Sequence, residues 1–401
     1  MIKALREQFN ANFTQEKYQH FLNLIEEGFG EAPTFRVCET PIFIPKELRK
    51  KLFDACEHIN DVITHPDFNE AAKSAIKLPD LLVPNEDHHP LFLQYDFGIC
   101  EGEDGELIPQ LIELQGFPSL YFFQHLLAGC YREAFDIPAH VNHLFNGLNN
   151  ETYLDLLREV IVGDQHPENV ILLEIEPEKQ HTRIDFWGVY KLLGIKILCL
   201  SKLKREGKEL YYFDHDGKRV TVKRIFNRVI FDELLRRKDL FREFNMTEEV
   251  DVEWAGHPNW FMKISKYTMP SLDSPFVPKT YFLNEIETYP EDLENYVLKP
   301  LFSFSGEGVK FHVKKEDLEA IDNPEDYILQ HKAKYAYAIQ TSNPNEPSKV
   351  EIRMMMIWKQ GWDRPKLVNN LVRLTKGEMV GVKYNKDKDW VGASVAFFEQ
   401  D

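Results

Sequence analysis

The segment LKPLFSFSGEGV, residues 298–309, combines a lysine with a loop of serines and glycines. Lys299 ends a short apolar run, and the last residue of a buried strand can project into a cleft at the edge of its sheet. A charge in such a position is costly unless a negative partner meets it. Gly306 and Gly308 permit backbone conformations that expose N–H groups, which bind phosphate. The pattern predicts a clamp for a nucleoside triphosphate, with a surface hairpin and a solvated lysine as the alternative.

Further polar residues lie at predicted strands and helices in the last third of the chain. Lys266 begins a helix-like run, with Lys263 as the competing lysine, and Gln330 lies at the end of the apolar strand in DYILQHKAKY. Glu351 and Arg353 share one face of the strand KVEIRMMMIW, because side chains alternate along a strand. This pair is suited either to a nucleotide or substrate contact or to a cross-strand ion pair.

Two other pairs of residues are candidates for substrate binding. The strand NNLVRL carries Asn370 and Arg373, with Asn369 as the alternative to Asn370. Arg224 and Arg228 lie on one face of the predicted strand VTVKRIFNRVIF. Two arginines on one face can bind a carboxylate through paired hydrogen bonds, although a solvated sheet face also accounts for them.

A candidate metal site lies far upstream, in the segment QLIELQGFPSL. Glu113 stands between isoleucine and leucine, and a carboxylate in such a strand needs a partner, either magnesium or a basic side chain. Gln115 shares its strand face, where a plain strand-end amide is equally consistent. Asp96, in LQYDFGI, either orients substrate or caps a turn. The histidine pair 88–89 lies in a loop and points apart, so no metal is expected there.

Taken in order, these residues resemble the ATP-grasp fold. In that fold one lysine precedes the first lobe, and a second lies in a VLKP-type strand before a glycine-rich lid. A glutamine hinge then contacts adenine, and an arginine strand reaches phosphate or substrate. Lys266, Lys299, Gln330 and Arg353 or Arg373 match this order and its rough spacing.

The order of the motifs is similar to that of the circularly permuted ATP-grasp ligases, which include eukaryotic-type glutathione synthetase and glutathionylspermidine synthetase. No acid–amide pair follows the arginine strand, and the matching elements lie upstream as QYDF at 94–97, Gly105 and QLIELQ at 110–115. The resemblance spans about residues 90–400. Glutamine replaces the family's arginine at 94 and its asparagine at 115. Ser305 stands at the lid glutamate, with Glu307 two residues on.

The resemblance implies an ATP- and Mg²⁺-dependent ligase that joins a small-molecule carboxylate to an amine or a thiol through an acyl phosphate. It implies nucleotide contacts at Lys266, Lys299, Ser303, Ser305, Gly306, Gly308 and Gln330, metal contacts at Glu113, Gln115 and Glu307, catalytic arginines at Arg353 and Arg373, and substrate contacts at Asp96, Arg224, Arg228 and Asn370. The departures keep a second hypothesis open, in which a degenerate ATP-grasp protein binds nucleotide or a partner without ligation.

Hydrophobic periodicity divides the 401 residues into four regions. Residues 1–78 are mainly helical, and residues 79–165 combine a hairpin around EGEDGE with helices. Residues 166–250 contain a βαβ unit, a hairpin with its turn at Asp216-Gly217 and a charged helix, DELLRRKDLFREF. Residues 251–401 hold the nucleotide-binding motifs. The expected fold class is α+β, a circularly permuted ATP-grasp fold with a Rossmann-like substrate-side domain and an N-terminal helical region.

The composition restricts the partners. A formal net charge of −17 argues against nucleic acid, because phosphate backbones require a basic face. Five scattered cysteines without a CxxC pair suit free thiols in a reducing compartment. The N-terminus has no signal-peptide pattern, and no window of 18 uncharged apolar residues predicts a membrane span. A cytoplasmic protein without a membrane partner is expected, either a monomer or a homodimer.

Overall fold

The computed structural model describes residues 1–77, 81–303, 306–377, 385 and 387–400, without the side chain of Asp232. The described helices are α1 (Lys3–Asn12), α2 (Gln15–Phe29), α3 (Lys46–Ile63), α4 (Phe68–Ala72), α5 (Tyr121–Ala134), α6 (Asn150–Val162), α7 (Arg183–Leu193), α8 (Phe231–Arg236), α9 (Trp260–Lys263) and α10 (Lys315–Glu319). The described strands are β1 (Ile42–Ile44), β2 (Phe92–Glu101), β3 (Leu107–Gln115), β4 (Val141–Asn142), β5 (Val170–Glu174), β6 (Lys196–Cys199), β7 (Lys204–Glu206), β8 (Glu209–Phe213), β9 (Arg219–Val222), β10 (Arg224–Asn227), β11 (Glu253–Ala255), β12 (Thr280–Phe282), β13 (Tyr296–Pro300), β14 (Tyr327–His331), β15 (Lys349–Ile357), β16 (Lys366–Thr375), β17 (Gly392–Ser394) and β18 (Ala396–Glu399).

A five-stranded antiparallel sheet lies at the centre of the fold, in the order β17–β16–β15–β2–β3. The hairpin of β2 and β3 is the one expected around the acidic turn, and β2 pairs directly with β15 from the far end of the chain. One face packs on α3 through Leu48 and Leu52. On the other face, α5 covers the end near Met356, whose carbonyl accepts a hydrogen bond from Tyr121 Oη at 2.8 Å. The remainder of that second face carries polar side chains.

A separate three-stranded antiparallel sheet has the order β12–β14–β13. It has its own small apolar cluster, in which Leu298 and Leu329 pack on Leu318 of α10. After β13 the chain loops back, and Leu298 and Lys310 exchange two backbone hydrogen bonds of 2.9 and 3.0 Å. The loop between them is the serine–glycine segment of the sequence.

The predicted βαβ unit is present as β5, α7 and β6, with β5 and β6 parallel. Gly194 ends α7 in the left-handed conformation, with φ of 74°, as expected for a helix cap. The full sheet has the order β11–β10–β5–β6 and is parallel throughout. Parallel strands of this kind place their carboxyl ends along one edge, where such sheets bind ligands.

Two local predictions in this region are wrong. The segment VTVKRIFNRVIF is not one strand, because the chain changes partners at Lys223: β9 pairs with β8, and β10 joins the parallel sheet. The charged helix DELLRRKDLFREF ends early, with α8 closing at Arg236. Phe244 and Met246 are buried in the hydrophobic core of this region. The chain therefore turns inward after Arg236 and does not continue as a helix.

The N-terminal region is mainly helical, as predicted, and it also contributes one strand. Thr14 caps α2 by accepting from Lys17 N–H, and Phe21 of α2 stacks on Tyr131 of α5 with ring centroids 4.2 Å apart. β1 pairs in parallel with β18, which pairs with β4. The two ends of the chain therefore meet in one small sheet. None of the described helices has the length and apolar character that a membrane span requires.

Candidate functional site

Two carboxylates and two arginines form a cluster on the polar face of the five-stranded sheet. The strand register places Asp96 opposite Arg353 and Glu351 opposite Arg373. Asp96 is fully buried and accepts from Arg353 Nε at 2.6 Å and Nη2 at 2.7 Å, and also from Arg373. Burial opposes ionisation of Asp96, but attraction to the two guanidinium groups outweighs it and lowers the pKa to about 2. We call Asp96, Glu351, Arg353 and Arg373 the arginine–carboxylate cluster.

The second carboxylate of the cluster depends on a residue that the sequence analysis missed. Glu351 pairs with Arg373 and accepts from Tyr335 Oη at 2.8 Å. Burial raises the pKa of Glu351, while Arg373 opposes the rise. Tyr335 fits here because Gly98 leaves the space: a Cβ at Gly98 would lie 2.8 Å from the tyrosine ring. The only available signal was the glycine inside a strand pattern, which indicates close approach of another group.

Arg353 also organises the end of β3. Its Nη1 donates to Gln94 Oε1 at 2.8 Å. The amide oxygen of Gln115, in the orientation that the surrounding donors require, accepts from Nη2 at 2.6 Å. Glu113 lies 3.9 Å from the same guanidinium, with 36% of its side chain exposed. Gln94 is thus an acceptor for Arg353, and Glu113 remains the accessible carboxylate of the group.

Lys299 connects the two antiparallel sheets. It projects from β13, and its Nζ donates to Gln330 Oε1 of β14 at 2.6 Å and to the backbone carbonyl of Ile112 in β3 at 2.8 Å. Burial lowers the pKa of Lys299 to about 8, with the carboxylate of Glu113 acting in the opposite direction. The ammonium is therefore largely charged at neutral pH. The structure brings Lys299, Gln330 and the strand of Glu113 together.

The serine–glycine loop contacts Lys266. Lys266 is buried at the start of a 3-10 helix, Lys266–Ser271, and its Nζ donates to the Ser303 carbonyl at 2.9 Å. Gly306 and Gly308 have φ of 72° and 71°, which favours glycine. A Cβ at Gly308 would also lie 2.8 Å from Pro300. Ser305 lies outside the described residues.

A further arginine lies at the carboxyl edge of the parallel sheet. Arg228 directly follows β10, is 4% exposed and stacks over Phe117 at 4.8 Å. Its Nε and Nη1 are buried and have no hydrogen-bond partner among the described residues. Burial lowers the pKa of Arg228, while Glu174 and Asp185 act to raise it and Arg353 adds to the lowering. Arg228 therefore lies within electrostatic range of the arginine–carboxylate cluster, with donors left for an anion.

Glu174 ends β5 at the same edge. It is 3% exposed, and burial raises the pKa of its carboxyl group to about 8, against the attraction of Arg228. Asp185 accepts from the backbone N–H groups of Phe122 and Phe123 at 2.9 Å each, and so fixes the start of α5. Glu174 and Asp185 were not identified from the sequence. One acidic residue at the end of a strand and another in a helix form no pattern that marks a functional site.

Several predicted site residues have other partners. Arg224 does not accompany Arg228: it donates to the Val160 and Ile161 carbonyls at the end of α6 and pairs with Glu253. Asn370 is fully buried on the other side of the sheet, where it donates to the His143 and Ala396 carbonyls at 3.0 Å. These contacts give both side chains structural roles, because their polar atoms hold backbone groups.

The three residues proposed as magnesium ligands differ in whether their oxygen atoms are free to bind the ion. Magnesium is typically bound by one or two carboxylates together with phosphate and water, and Glu113 offers an accessible carboxylate. The Gln115 oxygen is already held by Arg353. Glu307 forms an exposed ion pair of 3.2 Å with Arg236. Glu113 is therefore the residue that suits the ion as the side chains stand.

Comparison with known proteins gives a result at the level of the fold. No protein family matches the sequence, and no curated protein matches it. A glutathione synthetase-like effector from Globodera pallida, in its apo form, superposes with a TM-score of 0.57 at 12% identity, over 97% of this chain and 98% of the effector. A protein from Methylobacillus flagellatus, provisionally described as a gamma-glutamylcysteine synthetase, has 10% identity and a TM-score of 0.35 over 86% of this chain and 85% of its own. The chain therefore has the fold of the glutathione synthetase-like proteins, the group that its sequence motifs resemble.

Proposed function

We propose that the protein is an ATP- and Mg²⁺-dependent ligase that joins a carboxylate to an amine or a thiol through an acyl phosphate. The observation that carries this proposal is Lys299, a buried lysine that reaches from one antiparallel sheet to the other and ends beside Glu113. A cation held between two sheets, with a glycine-rich loop following it, is suited to the phosphates of a nucleotide.

The charges support a phosphoryl transfer at this position. Lys266 and Lys299 would contact the phosphate chain, and Glu113 would hold Mg²⁺, which neutralises charge on the transferring group. In the reaction, an oxygen of the substrate carboxylate attacks the γ-phosphorus, and the bond to the β,γ-bridging oxygen breaks to release ADP. The amine or thiol then attacks the acyl carbon and expels inorganic phosphate, with loss of one proton.

The arginines have separate roles in this proposal. Arg228 is buried, and its Nε and Nη1 have no hydrogen-bond partner in the described part of the chain, so it would bind the substrate carboxylate. Arg353 and Arg373 would face the acyl phosphate, and Asp96 would hold both guanidinium groups in place. The loop 303–308, of which residues 304 and 305 lie outside the described part of the chain, would exclude water, which otherwise hydrolyses an acyl phosphate.

One observation favours a second function, nucleotide binding without ligation. The amide oxygen of Gln115 is not free to bind a metal because it accepts a hydrogen bond from Arg353, and Glu307 forms an ion pair with Arg236. Glu113 would then be the one carboxylate at the phosphates, which suffices for a binding site but gives a weak metal site. Both proposed functions require nucleotide binding, and only the ligase converts ATP to ADP.

The test begins with thermal unfolding at increasing MgATP. A ligand that binds only the folded state stabilises it by about 2.7 kcal/mol at a hundredfold excess over its dissociation constant. We expect this stabilisation in wild type and in Lys202→Ala, an exposed lysine control, and its loss in Lys299→Met. If millimolar MgATP does not raise the unfolding temperature of the wild-type protein, both proposed functions are refuted.

A second assay separates ligation from binding. Magnesium-dependent ADP release is measured with mixtures of amino acids, small peptides and polyamines. Release that requires both an acid and an amine supports the ligase. Nucleotide binding without release in any mixture supports the non-catalytic function.

A further inference from the structure

The guanidinium of Arg353 is enclosed by oxygen atoms on the polar face of the five-stranded sheet. Nε and Nη2 donate to the two carboxylate oxygens of Asp96 at 2.6 and 2.7 Å, and Nη1 donates to Gln94 Oε1 at 2.8 Å. The amide oxygen of Gln115 accepts from Nη1 at 3.2 Å and from Nη2 at 2.6 Å. These contacts match the five N–H groups of a guanidinium, so each donor of Arg353 is engaged by the protein itself.

The position of Nη2 has the surroundings of a metal ion. Oxygen atoms of three side chains lie around it: Gln115 at 2.6 Å, Asp96 at 2.7 Å and Glu113 at 3.9 Å. Carboxylate and amide oxygens are the ligands that hard divalent cations prefer in proteins. Strand register brings them together, because Asp96 lies opposite Glu113 and Gln94 lies opposite Gln115 in the pairing of β2 with β3.

The cation at this position comes from a third strand. Arg353 belongs to β15, and its side chain passes β2 to reach β3, the order in which these strands pair. Asp96 is fully buried, and a buried carboxylate is costly without a positive partner. Arg373 is a second partner of Asp96, so removal of Arg353 does not leave this carboxylate without a cation.

The position filled by Arg353 bears on the number of metal ions that the site can hold. Phosphoryl-transfer sites neutralise the transferring group either with two metal ions or with a metal ion and an arginine. Glu113 is 36% exposed and can take one ion. A second ion between Asp96 and Gln115 would have to displace the guanidinium.

We propose that Arg353 is a built-in cation at a position of metal-ligand type, so that the site takes one divalent ion, at Glu113, and the protein supplies the second positive centre. The number of ions bound with nucleotide rests on the proposed function, whereas the exchange of guanidinium for a metal ion does not. In the ligase, Arg353 would act on the phosphates through its charge, since its N–H groups are engaged.

The test is a titration of the full chain with Mn²⁺ at neutral pH, without nucleotide, in which EPR spectroscopy measures the free ion. Arg353→Ala removes the guanidinium, and the exposed Glu113 then opens the vacated position to solvent. We expect its affinity for Mn²⁺ to exceed that of wild type by at least about tenfold, because the number and charge of oxygen ligands set the affinity of such sites. Addition of Gln115→Leu, which removes the amide ligand, should reverse most of the gain.

Arg219→Ala is the matched control. Arg219 bridges the carboxylates of Glu206 and Glu209 on an exposed hairpin, so its removal also frees two acidic groups, but on side chains that no neighbour holds in a converging arrangement. Its affinity for Mn²⁺ should stay within about twofold of wild type, because exposed charges are screened by salt. Thermal unfolding establishes that each variant is folded. If Arg353→Ala is not folded, Arg353→Gln, which is too short to reach the position of Nη2, replaces it.

A second titration adds adenylyl imidodiphosphate, a non-hydrolysable ATP analogue, at one equivalent per chain. Wild type should take up one Mn²⁺ with the analogue, and Arg353→Ala should take up two. The proposal is overturned if Arg353→Ala binds Mn²⁺ no more tightly than wild type, if Arg219→Ala gains as much, or if wild type takes up two ions. Failure of wild type to bind the analogue would refute the proposed function, and the titration without nucleotide would still decide whether Arg353 fills a metal position.

Discussion

The ionised form of Asp96 is expected to stabilise the folded protein. The perturbation is Asp96→Asn, which keeps the shape of the side chain and removes its charge. Asp96 holds two guanidinium groups, and the side chains of Arg353 and Arg373 are 8% and 27% exposed. Removal of the charge leaves Arg353 with the amide oxygens of Gln94 and Gln115, while Arg373 keeps Glu351.

The magnitude follows from the two environments of the carboxyl group. Its pKa is about 2 in the fold against an ordinary value of 3.8. One pKa unit corresponds to about 1.4 kcal/mol, so the ionised form contributes about 2 kcal/mol. Breaking a buried ion pair by removing one partner costs about 3–5 kcal/mol, and Glu351 compensates one of the two arginines. We therefore expect Asp96→Asn to lower the free energy of unfolding by about 2–4 kcal/mol.

The assay is urea denaturation at neutral pH, with Glu113→Gln as the matched control. Glu113 lies on the neighbouring strand but is 36% exposed and 3.9 Å from Arg353, so its charge should contribute less than about 1 kcal/mol. Because the pKa of Asp96 is lowered, its contribution is present above pH 3.8 and is lost as the pH falls towards about 2. The difference between wild type and Asp96→Asn should thus stay constant from about pH 7 to about pH 4. An Asp96→Asn effect below about 1 kcal/mol, at an unchanged denaturant slope, would refute the reasoning.

Three further predictions concern neighbouring positions. Nucleotide affinity should fall as the pH rises above about 8, because Lys299 then becomes neutral and no longer attracts phosphate. Lys299→Arg, which stays charged, should lack this dependence in a binding titration between neutral and alkaline pH. Gly98→Ala should destabilise the fold by about 1–3 kcal/mol in urea denaturation through overpacking against Tyr335, and Tyr335→Leu in the same chain should reduce that loss; additive losses would contradict the contact. Arg228→Met should abolish substrate-dependent ADP release in a protein that still folds, because Nε and Nη1 make no hydrogen bond among the described residues; a large loss of unfolding free energy would show that attraction to Glu174 and Asp185 makes the guanidinium mainly structural.

Much of the local structure followed from the sequence. The hairpin of β2 and β3, the βαβ unit with Gly194 as its cap, and the loop with Gly306 and Gly308 depend on periodicity and on glycine, which act over a few residues. The order of the motifs was equally informative, since it resembled the glutathione synthetase-like group, and this chain shares the fold of a solved effector of that description. These signals are local, so they need no knowledge of the partners.

The failures share a physical cause. The strand over VTVKRIFNRVIF and the helix DELLRRKDLFREF had good local patterns, but burial of Phe244 and Met246 and the change of partner at Lys223 overrode them. Arg224 and Asn370, whose proposed substrate contacts stay predictions, hold backbone carbonyls that the sequence did not reveal as partners. The local preference for helix or strand was outweighed wherever distant segments of the chain provided more favourable packing or strand pairing.

The sequence by itself determined which residues can carry charge and where the chain bends. Only the tertiary structure decided which charges meet, since Asp96 and Arg353 are joined by pairing of β2 with β15 across most of the chain. In the same fold Gly98 leaves room for Tyr335, and two nitrogens of Arg228 have no hydrogen-bond partner among the described residues. Electrostatic and steric energies depend on distance in space, and the fold sets that distance between residues far apart in the sequence.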